Sequence, residues 1–513
     1  MRNPKRIGII DIGSNSIRLV IYEITAHRGY HMIDESKASI RLSARISNEG
    51  AITNQDLDII VQILNHFQLL CRAHRTEVIR AVATAAIRHA TNSKEVMQQL
   101  ISRTGLNIEL ISGYEEARLG FIGAMNTLSI EDGFLIDIGG GSTEVTLFIQ
   151  RRMVHTVSFA FGAVNTTKQF ISNRNEAVTQ NHVSRIRRMV ENALEQEKWI
   201  YQYPGLPVIG FGGTIRTLAK IHQKQTKYSF RSNHNYPISL QDMEQLSSTL
   251  QHASLAKRKK IEGLSSDRAD IIVPGTCILL AIGEAMQANN CVISGAGLRD
   301  GLFYETWLKH KPILDNVLDH SVSNVLALHP IVSLDHVQQV KRLSVTLFHS
   351  LSTFFEPSGL SSLQGYLSVA ALLHRIGVSV SYYNYVNHTY YLIMNSRING
   401  LSHREVMICA LIASFHSETR TRQLYIVHQD LLTEEDYKLV LKLGSILRLA
   451  KALDRSETQP ISSVKPRLEA SALVLDLQHR HDCSIEIKEM KEESREFTKQ
   501  WGLALHIASI SKL

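Results

Sequence analysis

Two short stretches combine glycines with carboxylates in a pattern that suits a phosphate group and a metal ion. The first, "IDIGSNSIRLV", has Asp11 two residues before Gly13, and the second, "IDIGGGSTEV", has Asp137 before three glycines and Glu144 after them. Successive backbone amides of a tight turn form a concave surface that holds phosphate oxygens. Magnesium accepts carboxylate oxygens as ligands. We therefore predict a phosphate site at which Asp137 and Glu144 hold magnesium.

Asp11 is a weaker candidate for the same metal. Its position in the first stretch is equivalent to that of Asp137 in the second, so it is predicted to act on magnesium through a water molecule. An aspartate beside a turn also caps the turn by hydrogen bonding to its own backbone. Both interpretations of Asp11 stay open at the level of sequence.

The donors for phosphate oxygens are predicted on both turns. Glycine permits a positive φ and a close approach of the backbone to a ligand, and small hydroxyl side chains add donors. A single glycine-rich turn is more often a plain hairpin, but the repetition of the pattern favours binding. The predicted phosphate-binding residues of the two turns are Gly13, Ser14, Asn15, Gly139, Gly140, Gly141, Ser142 and Thr143.

A third glycine-containing stretch, "IGFGGTIRTLAK", leads from an apolar run into a helical pattern. A helix N-terminus presents free amides and a partial positive charge, which suit a phosphate or a ribose. Gly212, Gly213 and Thr214 are therefore predicted to join the phosphate site. The alternative is a tight connection between strand and helix without a ligand.

The stretch "ISGYEEARL" contains the candidate general base. Ser112 and Glu115 have the spacing of a capping box, which assigns Glu115 to the start of a helix. Glu116 is then free to accept a proton from water. The alternative for Glu116 is a solvated acid of the first helical turn, where the helix dipole favours negative charge.

Basic residues outside the turns are predicted to guide a long anion. Arg41 in "SIRLS" and Arg268 in "SSDRAD" are assigned to its path. The run "AKRKK" precedes the second of these stretches and could hold the distal part of a polyanion, although such runs are usually solvated surface. The residues of this run are Lys257, Arg258, Lys259 and Lys260.

Composition restricts the class of protein. The chain has 513 residues, which is enough for about three or four domains, and a net charge of +8 that favours an anionic partner. Its five cysteines lie far apart, without the spacing of a zinc site or a disulfide framework, so a reducing cytoplasm is expected. No signal peptide and no membrane segment are predicted, because Asp11 interrupts the first apolar run and later apolar runs are short.

The elements that position these residues fall into four segments. The two similar turns start 126 residues apart (137 minus 11), which predicts two duplicated α/β domains over 1–125 and 126–308 that face each other across a cleft. Apolar residues spaced by three and four predict an all-α domain over 309–460. Short alternating runs, "ALVLDLQ", "CSIEIKE" and "LALHIASI", predict a small sheet within a C-terminal α+β domain over 461–513.

Five stretches, "GIIDIGSNSIRLVI", "ISGYEEARLGF", "LIDIGGGSTEV", "GFGGTIRTLAK" and "GLSSDRADIIVPG", occur in one order over roughly residues 6 to 306. This set resembles the exopolyphosphatase and guanosine pentaphosphate phosphohydrolase (Ppx/GppA) family of the actin and sugar kinase superfamily. The resemblance implies two actin-like (ribonuclease H-like) domains. It also implies removal of a terminal phosphate from inorganic polyphosphate, or of the 5′ γ-phosphate from guanosine pentaphosphate, with magnesium.

The resemblance carries over to individual residues. Glu116 matches the glutamate that orients the attacking water, and Arg88 in "TAAIRHATN" matches a basic residue of the phosphate site. A homodimer is implied as well, and no nucleic-acid partner is expected. The planar guanidinium of Arg88 suits two phosphoryl oxygens.

The third segment resembles HD-type metal phosphohydrolase domains. Its "LLHRIG" retains His374 but has Arg375 where the family's aspartate would stand, and Lys451 lies close to Asp454. Because a cation does not ligate a metal ion, this domain is predicted to have lost the metal site. Extension of the substrate channel, dimerisation and nucleotide sensing are the roles left open.

Exopolyphosphatase activity is the leading interpretation, since the positive charge and the long C-terminal half favour a long polyanion. Guanosine pentaphosphate hydrolysis shares every catalytic part and is the nearest alternative. A kinase of the same superfamily would need adenosine and acceptor sites that we do not identify. A non-enzymatic actin-like protein would not need Glu116, Asp137 and Glu144 beside a phosphate site.

Overall fold

A computed structural model of the protein describes residues 5–45 and 49–512. The chain divides into two compact units. The first comprises the described residues up to Ala26 together with Tyr30–Val317, and the second comprises His27–Gly29 and the described residues from Leu318 onward.

The N-terminal part of the first unit is a five-stranded sheet with helices. The strands are β1 (Lys5–Ile12), β2 (Ser16–Ile24), β3 (Tyr30–Ser39), β4 (Val78–Ala83) and β5 (Ile108–Leu110). The helices are α1 (Leu42–Arg45), α2 (Asn54–Ala73), α3 (Ala85–Arg88), α4 (Ser93–Thr104) and α5 (Gly113–Met125). The strand order is β3-β2-β1-β4-β5, with β1 parallel to β4 and antiparallel to β2.

The following part of the first unit is a six-stranded sheet. The strands are β6 (Gly133–Ile138), β7 (Thr143–Ile149), β8 (Arg152–Phe159), β9 (Val208–Gly212), β10 (Tyr236–Ser239) and β11 (Asn290–Ile293). The helices are α6 (Ala163–Phe170), α7 (Gln180–Leu194), α8 (Gly213–Gln225), α9 (Leu240–His252), α10 (Leu255–Arg258), α11 (Ile272–Ala285) and α12 (Leu298–Leu308), with a 3₁₀ helix at Lys198–Tyr201. The strand order is β10-β11-β9-β6-β7-β8.

The two sheets repeat one topology. Read from the opposite edge, the second sheet has the order β8-β7-β6-β9-β11, which matches β3-β2-β1-β4-β5 in strand direction. Strand β10 is an additional antiparallel edge strand. The duplication predicted from the two glycine turns is therefore present in the sheet topology.

The central strands and their covering helices explain the apolar pattern. In β1, Ile9 and Ile10 are adjacent and both fully buried, because helices cover both faces of a sheet that contains parallel strands. Helix α2 buries residues three and four apart, as a helix with one apolar face does. No helix among the described residues has the length and apolar character that crossing a bilayer requires.

Helix α12 packs on the first sheet although it follows the second sheet in sequence. Its Phe303 stacks on Tyr22 of β2 with ring centroids 4.1 Å apart. Phe303 and Leu302 share a core cluster with Ile7 and Ile9 of β1. The segment predicted as 126–308 thus contributes a helix to the first half, and the domain boundaries themselves stay predictions.

The second unit begins with helices only. These are α13 (Val317–Leu328), α14 (Leu334–Ser350), α15 (Leu360–Leu373), α16 (Tyr385–Asn395), α17 (His403–Ala413), α18 (Glu418–Val427) and α19 (Glu434–Ala452), with 3₁₀ helices at Ser352–Phe354, Pro357–Gly359 and Ile376–Ser379. It ends with β12 (Ile461–Leu468), β13 (Ala472–His479), α20 (Ser484–Trp501) and β14 (Ala504–Lys512), in the sheet order β12-β13-β14.

The prediction of a strand at "CSIEIKE" is wrong, because this stretch starts α20. The alternation of isoleucine with charged residues is too short to distinguish a strand from a helix. Over the whole segment, the buried residues Glu486, Met490, Phe497 and Trp501 recur at helical spacing. The burial of one helix face therefore overrides the local alternation.

Candidate active site

The two glycine turns lie directly against each other. A Cβ atom placed on Gly140 would lie 3.0 Å from the Cβ of Ser14, and one on Gly141 would lie 2.9 Å from the Oγ of Ser14. The positive φ expected at these turns is wrong, since Gly13, Gly139, Gly140 and Gly141 do not adopt the left-handed conformation. Glycine is needed at Gly140 and Gly141 because an added Cβ atom would crowd the side chain of Ser14.

Both turns have the same internal hydrogen bond. The amide of Gly13 donates to the carbonyl of Ser16 at 3.2 Å, and the amide of Gly139 donates to the carbonyl of Ser142 at 2.9 Å. The two bonds are again 126 residues apart in sequence (139 minus 13), so the duplicated hairpins agree in backbone geometry as well as in register.

Amides from other segments engage the carbonyl oxygens of the turns. The bonds are Ser43 N to Ser14 O (3.1 Å), Arg41 N to Asn15 O (2.9 Å), Ala163 N to Gly139 O (3.0 Å) and Val164 N to Gly140 O (2.9 Å). Carbonyl oxygens repel phosphate oxygens, and here they are occupied within the fold. In addition, both side-chain amide atoms of Asn15 are buried without a hydrogen-bond partner among the described residues. Buried polar atoms of this kind are normally satisfied, which is consistent with a ligand that is absent here.

A cavity of about 150 Å³ lies between the two halves of the first unit. Many of the predicted site residues line it. They are Asp11, Gly13, Ser14, Asn15, Glu116, Asp137, Gly139, Gly140, Ser142, Gly212, Gly213 and Arg268. The structure thus brings together three glycine-containing stretches and three of the predicted acids.

Four arginines line the same cavity, and sequence reasoning identified only one of them. They are Arg18, Arg216, Arg268 and Arg299. Burial and the charges of Arg18 and Arg299 lower the pKa of Arg216 to about 10, so the three guanidinium groups lie close enough to repel each other. An anion with several charges would relieve this repulsion. Arg18 and Arg216 lie within the quoted stretches "IDIGSNSIRLV" and "IGFGGTIRTLAK", whereas Arg299 lies in "GLRD", outside every quoted stretch.

Glu116 lies at the cavity and is paired with Arg88. The Nη1 atom of Arg88 donates to the carboxylate of Glu116 at 3.0 Å and to the carbonyl of Ile111 at 2.8 Å. The Nη2 atom of Arg88 is buried without a partner among the described residues. Burial raises the pKa of Glu116 from 4.5 to about 7, although the charge of Arg88 opposes the rise. A carboxyl group with this pKa suits proton transfer near neutral pH.

The capping prediction beside Glu116 is only half correct. The Oγ atom of Ser112 accepts from the amide of Glu115 at 3.1 Å, as a helix cap does. The carboxylate of Glu115 binds the guanidinium of Arg118 at 3.0 Å. Glu115 is therefore held by a partly buried ion pair with Arg118, which also binds Glu305 of α12, and not by the cap.

Asp137 and Glu144 are cross-strand partners on β6 and β7. Burial raises the pKa of Asp137 to about 6, against the charge of Arg216. Burial and the neighbouring charges of Glu116 and Asp137 raise the pKa of Glu144 well above its usual value. The Oγ atom of Ser158 donates to Glu144 at 2.7 Å and so helps to fix this carboxylate.

Asp11 is in a different electrostatic environment. Burial raises its pKa, while the charges of Arg299 and Arg18 oppose that rise. Arg18 is the cross-strand partner of Asp11 on β2. The first hairpin therefore pairs its aspartate with a cation, whereas the second pairs its aspartate with another acid.

The acids suit magnesium in their chemistry. Oxygen ligands match a hard divalent cation, and such a cation would favour the charged forms of mutually repelling carboxylates. No group of three or more His, Cys, Asp or Glu side chains in the described part of the chain converges enough to hold a metal alone. Magnesium usually takes one or two carboxylates and keeps water and substrate oxygens as its other ligands. Asp137 and Glu144 fit this requirement.

Gly212 shows why the third stretch needs its glycines. Its φ is +90°, and a Cβ atom there would lie 2.5 Å from the Oδ1 atom of Asp137. A Cβ atom on Gly213 would overlap the guanidinium of Arg268. Thr214 is 1% exposed and packs near Gly275, so it lies behind the cavity surface.

Two predicted ligand contacts are contradicted by the structure. The hydroxyl of Thr143 donates to the carbonyl of Phe161 at 2.7 Å, so its proton is not available to a phosphate. Arg258 is 1% exposed and donates to the carbonyls of Ala269 and Glu176. Arg258 stands between Lys257 and Lys259 in sequence, but α10 turns its side chain into the core.

The remaining predicted path residues lie outside this cavity. Arg41 binds both carboxylate oxygens of Asp270 at 2.8 Å, so its charge is already paired. Lys259 lines a separate cleft with Arg41, and Lys257 and Lys260 are exposed. Their contact with a long substrate stays a prediction.

Two family models match the chain. The model of the Ppx/GppA phosphatase family matches residues 20–310, and the model of Ppx/GppA phosphatase domain III matches residues 317–494. The first match alone covers more than half of the chain.

Solved structures agree with the family models. The Aquifex aeolicus member of the Ppx/GppA family is 27% identical, with a TM-score of 0.53, and the match covers 60% of this chain and 99% of that one. An exopolyphosphatase from Cytophaga hutchinsonii is 25% identical, with a TM-score of 0.56 and the same coverage of 60% and 99%. An exopolyphosphatase-like protein at 23% identity and a TM-score of 0.53 has a similar fold.

Proposed function

This chain belongs to the Ppx/GppA phosphatase family, and we propose that it hydrolyses the terminal phosphate of inorganic polyphosphate. The observation that carries the proposal is the position of Glu116. Its carboxylate, with a pKa near neutrality, lies at a cavity bounded by two glycine turns and four arginines. A proton acceptor beside a cavity that also contains several arginines is what attack by water on a phosphate chain requires.

In the proposed reaction, Glu116 orients a water molecule toward the terminal phosphorus. A bond forms from the water oxygen to that phosphorus while the bond from phosphorus to the bridging oxygen breaks. Glu116 accepts the proton of the water, and the bridging oxygen remains on the shortened chain. The free Nη2 of Arg88 donates to a phosphoryl oxygen, and this charge-assisted bond positions the group that is transferred.

The backbone turns hold the substrate in this proposal. The amides of Gly140 and Ser14, with the side-chain amide of Asn15, donate to phosphate oxygens near the scissile end. Arg18, Arg216, Arg268 and Arg299 balance the charge of the following phosphates. Asp137 and Glu144 would hold magnesium, with Asp11 acting through water, and magnesium would neutralise charge on the phosphoryl oxygens.

Four arginines at one cavity supply positive charge for several consecutive phosphates, which favours a long polyanion. Guanosine pentaphosphate presents the same terminal phosphate and is the second candidate. Polyphosphate and guanosine pentaphosphate differ in the number of consecutive phosphates. Phosphate release from the two substrates, measured side by side, therefore discriminates between the two candidates. The predicted homodimer and cytoplasmic location stay predictions.

The test is phosphate release from long-chain polyphosphate and from guanosine pentaphosphate, side by side, with and without magnesium. The parent chain is compared with Glu116→Gln and with the matched control Glu115→Gln, which changes the neighbouring acid that binds Arg118. We expect magnesium-dependent release that is faster from polyphosphate, and at least about a hundredfold slower in Glu116→Gln. Equal turnover of the two glutamine variants would remove Glu116 from the mechanism. Release from guanosine pentaphosphate alone would overturn the choice of substrate.

A further inference from the structure

A second cavity, of about 310 Å³, lies within the helical part of the second unit. His336, His374, Arg375, Tyr385 and Lys451 are among its lining residues. It shares no residue with the cavity of the first unit. Its volume is within the range of cavities that bind small organic ligands.

His374 presents an unused acceptor to this cavity. Its Nδ1 atom donates to the carbonyl of Ala371 at 2.8 Å, so the proton of the neutral ring is on Nδ1. The Nε2 atom is buried without a partner among the described residues, and the side chain is 1% exposed. Burial, followed by the charge of Lys451, lowers the pKa of His374 well below its usual value. The Nε2 lone pair therefore needs a donor from a ligand.

Lys451 is the cation of this cavity that has no acidic partner in the described ranges. Three other cations at the cavity are each paired with a carboxylate. The pairs are Arg375 with Glu457, Arg448 with Glu493 and Arg455 with Glu489. The ammonium group of Lys451 instead interacts with Tyr385, a neutral partner, through its hydroxyl and at 5.8 Å from its ring centre. One positive charge is thus available to an anion.

The fourth acid of the cavity region, Asp454, is also satisfied. It accepts from the Nδ1 atom of His336 at 2.8 Å and from the amide of Gln459 at 2.7 Å. Both carboxylate oxygens therefore have donors within the fold. Arg375 and Lys451 add charge that repels a divalent cation. The cavity is therefore built for an anion that also carries a hydrogen-bond donor.

We propose that this cavity binds a phosphomonoester of nucleoside monophosphate size. A phosphomonoester has a second pKa of about 6, so its singly protonated form carries both a P–OH donor and anionic oxygens. The P–OH group donates to Nε2 of His374, and an anionic oxygen accepts from Lys451. This arrangement supplies a donor to the buried Nε2 atom of His374 and an anion to Lys451, which has only a neutral partner in the described ranges.

The rest of the cavity accounts for the organic part of the ligand. Free phosphate would fill only a fraction of 310 Å³. Tyr382 lines the cavity and is 59% exposed, and the guanidinium of Arg375 lies 5.9 Å from its ring centre. A planar base can stack on the ring of Tyr382 or on the guanidinium of Arg375, because both groups are planar.

The experiment is isothermal titration calorimetry on the full chain with adenosine 5′-monophosphate and guanosine 5′-monophosphate. Inorganic phosphate, ribose 5-phosphate, adenosine and manganese chloride are the comparison probes. The variants are Lys451→Met, His374→Asn, which retains a donor to Ala371 but removes the Nε2 acceptor, and Lys438→Met, an exposed lysine on the same helix. Arg216→Met in the other cavity shows whether a nucleotide binds there instead.

We expect a mononucleotide to bind the parent chain, the Lys438→Met variant and the Arg216→Met variant with similar affinity. Lys451→Met and His374→Asn should each weaken binding at least about tenfold, as loss of a charge-assisted bond does. Binding lost in Arg216→Met but kept in Lys451→Met would overturn the proposal. So would binding of manganese chloride that requires His374, or of inorganic phosphate as tightly as the nucleotides. Circular dichroism and thermal melting confirm that each variant is folded.

Discussion

Arg18 and Glu144 occupy equivalent positions in the two duplicated hairpins. Arg18 lies opposite Asp11 on the paired strand, and Glu144 lies opposite Asp137 in the same register. The duplication thus places a cation in one hairpin where the other has an acid. We infer that the first hairpin contributes binding of phosphate charge and the second contributes binding of magnesium.

Glu144→Gln should weaken the response to magnesium more than the binding of substrate. The variant retains the size of the side chain and its bond to Ser158 but removes a charged oxygen ligand. We expect the magnesium concentration for half-maximal phosphate release to rise at least about tenfold. The matched control, Glu131→Gln, changes an exposed acid before the same strand pair. An unchanged magnesium dependence in Glu144→Gln would contradict the assignment.

Arg18→Met should weaken the binding of substrate more than the response to magnesium. The variant removes one of four cations from the cavity while it retains an unbranched apolar side chain. We expect KM for polyphosphate to rise at least about tenfold at unchanged magnesium dependence. The measurement is initial rate against substrate concentration at saturating magnesium. A variant with an unchanged KM would show that this arginine does not bind substrate.

The four raised carboxyl pKa values at the cavity predict a pH dependence of stability without magnesium. A carboxyl group with a higher pKa in the folded state binds more protons there, so the free energy of unfolding falls as pH rises between the two values. For Glu116 this interval runs from 4.5 to about 7. The decrease in the free energy of unfolding over this interval should be smaller in Glu116→Gln than in the parent by about 1 to 3 kcal/mol. Each pKa unit corresponds to about 1.4 kcal/mol.

Urea unfolding at pH 5 and pH 7.5, in buffer with a chelator, measures this difference. Glu115→Gln is again the control, because it changes the neighbouring acid of the same helix, which pairs with Arg118. Parallel pH dependence in the parent and in Glu116→Gln would refute the raised pKa. Addition of magnesium should reduce the decrease in the free energy of unfolding of the parent between the two pH values, since a cation favours the charged carboxylates.

Gly162→Ala should disturb the second glycine turn. A Cβ atom at Gly162 would lie 2.7 to 2.8 Å from backbone atoms of Gly139 and Gly140. Backbone cannot move aside as a flexible side chain does, so we expect a loss of about 1–3 kcal/mol of stability together with reduced turnover. The control is Gly359→Ala, where no atom lies within 4 Å of the added carbon. Thermal melting and phosphate release measure the two effects. Unchanged stability and turnover in Gly162→Ala would contradict the prediction.

Local sequence was sufficient for several elements of the site. The acid and glycine patterns identified both hairpins, and their spacing of 126 residues predicted the repeated sheet. Ser112 was correctly predicted to cap α5. The hairpins and the helix cap depend on hydrogen bonds between residues that are close in sequence, so the pattern of residue types determines them.

Other features depend on which distant segments meet, and only the tertiary structure decided them. Arg18, Arg216 and Arg299 come from three separate segments, and no local pattern distinguishes them from surface arginines. The burial of Arg258 and the helix at "CSIEIKE" were likewise mispredicted, because contacts with the rest of the fold determine which face of a helix is buried. The sequence thus determined the turns and the repeat, whereas packing determined which charges face the cavity.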